Sequence, residues 1–128
     1  MSQINTTWEI NGNTFDLDLQ DVETAEKYEQ AFENMGINEK NIPKSGKNSE
    51  IIKGYYNMFV KLYDDLFGIG AGVKILGEKA NSRICDEAYE SFLNFIRAQT
   101  DASLQYRNTI LTKYSPNRAQ RRAQKTTK

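Results

Sequence analysis

The stretch from Glu50 to Gly68, EIIKGYYNMFVKLYDDLFG, limits the fold of this chain more than any other segment. Ile52, Tyr55, Tyr56, Phe59, Tyr63 and Leu66 recur at helical spacing and mark one face. Ile51, Met58, Val60, Leu62 and Phe67 widen the apolar surface over most of the circumference. A helix apolar nearly all round belongs at the centre of a core. Ser49 with Glu50 suits its start, and Gly68 its end. A chain of 128 residues, 38% hydrophobic and 11% aromatic, supports one domain with a modest core around such a helix.

The flanking segments supply what packs on it. In INTTWEINGNTFDLDL, Asn11-Gly12 provides the two positive-φ positions of a tight I′ turn. Ile4, Trp8 and Ile10 precede the turn; Phe15, Leu17 and Leu19 follow it, alternating with Asp16 and Asp18. One face of this hairpin is apolar and the other acidic, and two strands alone are too few, so the apolar face needs a helix or a partner. Asp21 can cap a helix whose stripe is Ala25, Tyr28, Phe32 and Met35, with Gly36 at its C-cap and a surface loop over residues 37–48. The glycine-rich stretch from Phe67 to Gly77 reads as a flexible connector that needs positive φ. Beyond it, Asn81 or Ser82 can cap a further helix. A 4-3 register of Cys85, Tyr89, Phe92, Ile96, Gln99, Ser103, Tyr106 and Ile110 allows one long helix, or two with a bend at the polar Gln99 and Ser103. The expected fold is α+β: an N-terminal β-hairpin packed on a bundle of three to four helices over residues 1–114, followed by a basic tail over 115–128.

Several chemistries are absent from the chain. It contains no histidine, which removes the commonest general base and metal ligand and every Ser-His or Cys-His arrangement. The single cysteine, Cys85, can form neither an internal disulfide nor an ordinary zinc site, and it reads as a small core residue in a reducing compartment. Gly72 and Gly77 have phosphate-loop spacing, but Glu78 stands where that loop needs lysine. Asp64 and Asp65 are neighbours that point in different directions on a helix, which suits a solvated acidic turn balanced by Lys61 and Lys74. No apolar run approaches the length of a membrane span, and the start lacks a secretory pattern, so an intracellular protein without catalysis, cofactor or metal is expected.

The net charge of zero conceals an asymmetry. Residues 1–50 hold ten acids and four bases, whereas residues 113–128 hold six bases and no acid. Pro116 and Asn117 suit a helix start, after which Arg118, Arg121, Arg122 and Lys125 share one face of a coiled segment. With no large apolar side chain, this tail orders only against something acidic. Nucleic acid is one such partner, although four to six cations without interleaved aromatics bind it weakly. The acidic head of another copy is a second, which would make a homo-oligomer. A tail that serves only solubility is a third reading.

Taken together, LYDDLFGIGAGVKILG, NSRICDEAYESFLNFI and NRAQRRA resemble the small tail assembly chaperones of long-tailed bacteriophages and prophages of Gram-positive bacteria. The resemblance rests on Asp64, Asp65, Leu66, Phe67 and Gly68, on Ile75, Leu76 and Gly77, on Asn81 and Cys85, and on the Asn117, Arg118, Arg121, Arg122 ending. Ile69 departs from it, standing where the family pattern has an acidic residue. The resemblance implies a protein of the host cytoplasm that binds the long helical tape-measure protein before the tail tube polymerises, and that is absent from the virion. An adaptable apolar surface would serve that role, and Trp8, Tyr55, Tyr56, Phe59, Tyr63 and Phe67 are the expected contacts, with the basic side chains of the tail beside them. A structural virion component and a weak nucleic-acid binder are the competing readings.

Overall fold

Asn11 and Gly12 take φ values of 50° and 76°, the left-handed pair that a two-residue I′ turn requires. They join β1 (Thr7–Ile10) to β2 (Asn13–Asp16) in an antiparallel ribbon with Trp8 opposite Phe15 and Ile10 opposite Asn13. The structure is a computed structural model and describes residues 4–113. The alternation sorts side chains as the sequence requires. Trp8 and Leu17 are buried, Ile10, Phe15 and Leu19 pack half-buried against the core, and Asp16 and Asp18 face out. The turn is also tied down, because the Asn11 side chain donates to the Ile75 carbonyl at 2.7 Å and Asn13 donates to that of Lys74 at 3.3 Å.

α1 (Val22–Glu39) begins where Asp21 accepts from the Thr24 amide at 3.1 Å. It does not stop at Gly36. The helix runs through that glycine to Glu39, and the loop is confined to residues 40–47. An interior glycine costs a helix only about 1 kcal/mol, which the contacts of Tyr28, Phe32 and Met35 with the core offset. Pro43 disfavours helical backbone in the residue before it, so the helix has to end shortly upstream.

α2 (Asn48–Phe67) is the central element, touching α1, α3 and α4, and Gly68 at φ 107° ends it. Its C-terminal half supplies Met58, Phe59, Leu62, Tyr63 and Leu66 to the core. The glycine-rich stretch is not a flexible connector. It contains α3 (Ala71–Leu76), in which Ala71, Gly72, Ile75 and Leu76 are all buried. Gly70 and Gly77 bracket this helix at positive φ. Gly72 has a different function: a Cβ there would lie 2.6 Å from both the Cα and the carbonyl oxygen of Val60. The glycine lets two backbones meet, and only a residue without a side chain fits.

α4 (Ser82–Lys113) starts at Asn81, whose side chain accepts from the amides of Arg83 and Ile84. It is one helix of 32 residues, about 48 Å long. Gln99 and Ser103 mark no break in it. They are buried, and they continue the side of the helix that Cys85 and Phe92 begin. With the hairpin laid over four helices, the α+β architecture is as expected, while the basic tail of residues 115–128 lies outside the described residues.

Candidate functional site

Six aromatic side chains were expected to form a contact surface, and the fold packs four of them into or against the core. Trp8, Phe59 and Tyr63 are buried, and Phe67 is half-buried. Trp8 meets Phe92 edge-on at 5.1 Å between ring centroids, Phe15 lies 4.9 Å from Phe67, and Tyr63 lies 5.8 Å from Phe92. These distances suit offset and edge-to-face aromatic packing. The hairpin and α4 therefore cover the stripe that α2 presents. Tyr55 and Tyr56 reach the surface, but their hydroxyls are engaged. Tyr55 donates to the Asp86 carboxylate, and Tyr56 donates to the Gly77 carbonyl at 2.6 Å. Burial, then the bond to Asp86, pushes the Tyr55 phenol well above its ordinary value, so it keeps its proton and its role as donor. Arg118, Arg121, Arg122 and Lys125 lie outside the described residues.

The acidic pair is a joint. Asp64 accepts from the Gly72 amide at 2.8 Å, so the carboxylate holds the first turn of α3 against the end of α2. That bond occupies a backbone amide an anionic ligand would otherwise use. Asp65 pairs with Lys61 at 3.9 Å. Phe67 turns into the hairpin aromatics, and Gly77 receives Tyr56. The residues Asp64, Phe67, Gly72 and Gly77 thus work as one packed junction of α2, α3 and the hairpin. Among the described residues no group of three or more His, Cys, Asp or Glu could hold a metal ion. The Cys85 thiol is buried, and burial first and Asp86 second push it up to about 11. It is a protonated, inert core group at neutral pH.

Sequence reasoning missed Gln99. Its amide oxygen accepts from the Leu19 backbone at 2.7 Å, and its amide nitrogen donates to the carbonyls of Leu17 at 2.8 Å and Asn5 at 3.2 Å. One side chain from α4 thereby satisfies three backbone groups that flank β2 and precede β1. The signal was a glutamine in a register that is apolar from Cys85 to Ile96: a buried amide needs partners. Trp8 adds a second tie, donating from Nε1 to the Ser91 hydroxyl at 3.1 Å.

Beside this clasp lies an open groove of about 630 Å³ between β1 and α4. Trp8 and Phe95 form its floor, Thr7 and Glu9 one wall, and Asn94, Ala98 and Ala102 the other. β1 has β2 as its only strand partner among the described residues, so its other edge has no strand beside it, although the Thr7 amide there donates to the Asn5 side chain at 3.0 Å. Ala98 and Ala102 are one turn apart and leave the backbone of α4 approachable. Glu9 is the only acid or base in the lining. Such a groove can hold part of another polypeptide; it has no nucleophile paired with a base. Among the described residues no helix is long and apolar enough to cross a membrane.

A protein family of unknown function (DUF6673) matches residues 11–125, from the hairpin turn into the basic segment. No curated protein and no solved structure matches.

Proposed function

The chain belongs to the DUF6673 family, whose function is unknown, and from the groove beside α4 and the resemblance of its motifs we propose that it is a tail assembly chaperone of the long-tailed phage type. It binds the helical tape-measure protein in the cytoplasm of the bacterial host and keeps it soluble until the tail tube polymerises. It makes and breaks no covalent bond.

The groove along α4 is the observation that carries this reading. A helix that lies over Ala98 and Ala102 can approach α4 at the close end of the usual interaxial range of about 8–10 Å. Phe95 and Trp8 give it an apolar floor, and the outer edge of β1 beside it carries no strand among the described residues. An unassembled tape-measure protein exposes apolar helical surface that aggregates unless covered. The resemblance points to the same role, and most of the residues that carry it fall in the junction of α2, α3 and the hairpin.

Mass spectrometry of purified particles separates this role from that of a structural virion component. The chaperone is found in lysates of producing cells and is missing from mature particles. Its presence in particles in fixed stoichiometry would refute the proposal.

A further inference from the structure

Glu9 is the only charged side chain lining the groove between β1 and α4, and no ion pair among the described residues engages it. It is exposed on the outer face of the hairpin. Asp16 stands directly across from Thr7, on the same wall, and accepts from the Thr7 hydroxyl at 2.9 Å. No neighbouring base in the sequence offsets these carboxylates, because residues 1–26 hold six acids and no base. On the opposite wall, Glu90 lies one turn before Asn94 and Asp101 about one turn after Ala98. Both are exposed, and Arg97 is the only base between them.

We propose that the groove selects a basic amphipathic helix. Small and apolar residues of the partner cover Ala98, Ala102 and Phe95, and lysines or arginines along its flanks meet Glu9 on one side and Glu90 and Asp101 on the other. The inference rests on the reading of the groove as a helix site and names the charge that the helix must carry, with Glu9 as the specificity-determining residue. A helix of the same shape that bears carboxylates is disfavoured, since like charges then face each other across the contact. Charge alone does not define the occupant. The floor of Trp8 and Phe95 calls for apolar side chains as well, and residues 115–128 of this chain supply none beyond Pro116 and two alanines. That basic segment answers the carboxylates without filling the groove, whereas an amphipathic helix does both.

Trp8, the only tryptophan of the chain, lies on the groove floor and gives a local readout. Two synthetic helical peptides without aromatic residues serve as probes. They share a stripe of alanine and leucine and differ only in carrying lysine or glutamate along both flanks. Titrated into the full chain at low salt, the lysine peptide should shift Trp8 emission and bind about tenfold or more tightly than the glutamate peptide. The ratio should shrink as salt is raised. Glu9→Lys, at an exposed position with no side-chain hydrogen bond among the described residues, should leave the circular dichroism unchanged and cut the ratio by about threefold or more. If neither peptide binds, the groove is no helix site and both readings fall. If both bind equally and Ala98→Arg abolishes the binding of each, the groove reading stands and the charge selection is overturned. A ratio indifferent to Glu9→Lys overturns it too. If Arg118→Gln with Arg121→Gln and Arg122→Gln strengthens binding of the lysine peptide about tenfold, the chain's own basic segment holds the groove and the proposal falls.

Discussion

Replacing Gln99 by methionine, which has a similar length and volume, removes the clasp between α4 and the hairpin while the helix stays filled. The Leu17 carbonyl and the Leu19 amide then lose their partner. The Asn5 carbonyl borders the open groove, where water can replace the lost bond. Stranding a buried backbone group costs about 1–3 kcal/mol, so the two inner groups set the loss at about 3 kcal/mol. For a domain of this size that is on the order of a 10–20 °C fall in melting temperature. Urea and thermal unfolding followed by circular dichroism measure the loss, and hydrogen exchange at the Leu19 amide reports it locally. Gln99→Glu supplies a control of distinct sign. It keeps an acceptor for Leu19 but turns the donor toward Leu17 and Asn5 into a second acceptor. At neutral pH it costs more than Gln99→Met, and it recovers below about pH 4, where the new carboxyl is protonated and can donate. If Gln99→Met unfolds at the wild-type midpoint and the Leu19 amide exchanges no faster, the side chain does not hold the hairpin and the reasoning fails.

Two glycines in helices should respond in opposite directions. Gly72→Ala drives a methyl into the Val60 backbone and costs about 1–3 kcal/mol, whereas Gly36→Ala meets nothing within 4 Å and gains about 1 kcal/mol; equal effects in urea melts would contradict the packing of α3 on α2. Tyr63→Phe removes a buried hydroxyl that has no hydrogen-bond partner among the described residues, so stability should stay level or rise by about 1 kcal/mol, and a clear loss would mean that the hydroxyl is satisfied. Stability should also fall in alkali. The Cys85 thiol titrates near 9 when unfolded and at about 11 when folded, and Tyr63 is shifted upward by burial, so their contribution is complete below about pH 9 and drains as the pH climbs toward 11. A urea midpoint that is flat across that window would show these groups to be solvated.

The legible parts of the fold were those written in local chemistry. Asn11-Gly12 with its flanking alternation specifies a hairpin whatever surrounds it, and Asp21 and Asn81 announce helix starts through amides two or three residues away. Gly68 marked a helix end for the same reason. The parts that stayed hidden depend on residues far apart in sequence. Gly36 and Gly72 look alike in the sequence, yet one is solvent-facing helix and the other is in contact with Val60. The aromatic stripe of α2 gave its helical period but not what covers it; the hairpin and α4 do, so Trp8, Phe59 and Tyr63 became core instead of a contact surface. The groove was not legible either. It exists because Ala98 and Ala102 are small where β1 leaves an edge free, a relation between segments some ninety residues apart. Gln99 was visible as an anomaly, and an amide in an apolar register could have been read as a demand for buried partners.

The central claim is that another polypeptide occupies the groove between β1 and α4. Co-expression with a phage tape-measure protein, the partner proposed above, tests it most directly, by the fraction of that protein recovered in the soluble phase. The wild-type chain should hold it in solution and co-purify with it, while Ala98→Arg, which fills the groove from an exposed position, should leave it in the pellet although the variant itself is folded. A partner that is equally insoluble with the wild-type chain, or equally soluble with Ala98→Arg, would contradict the account.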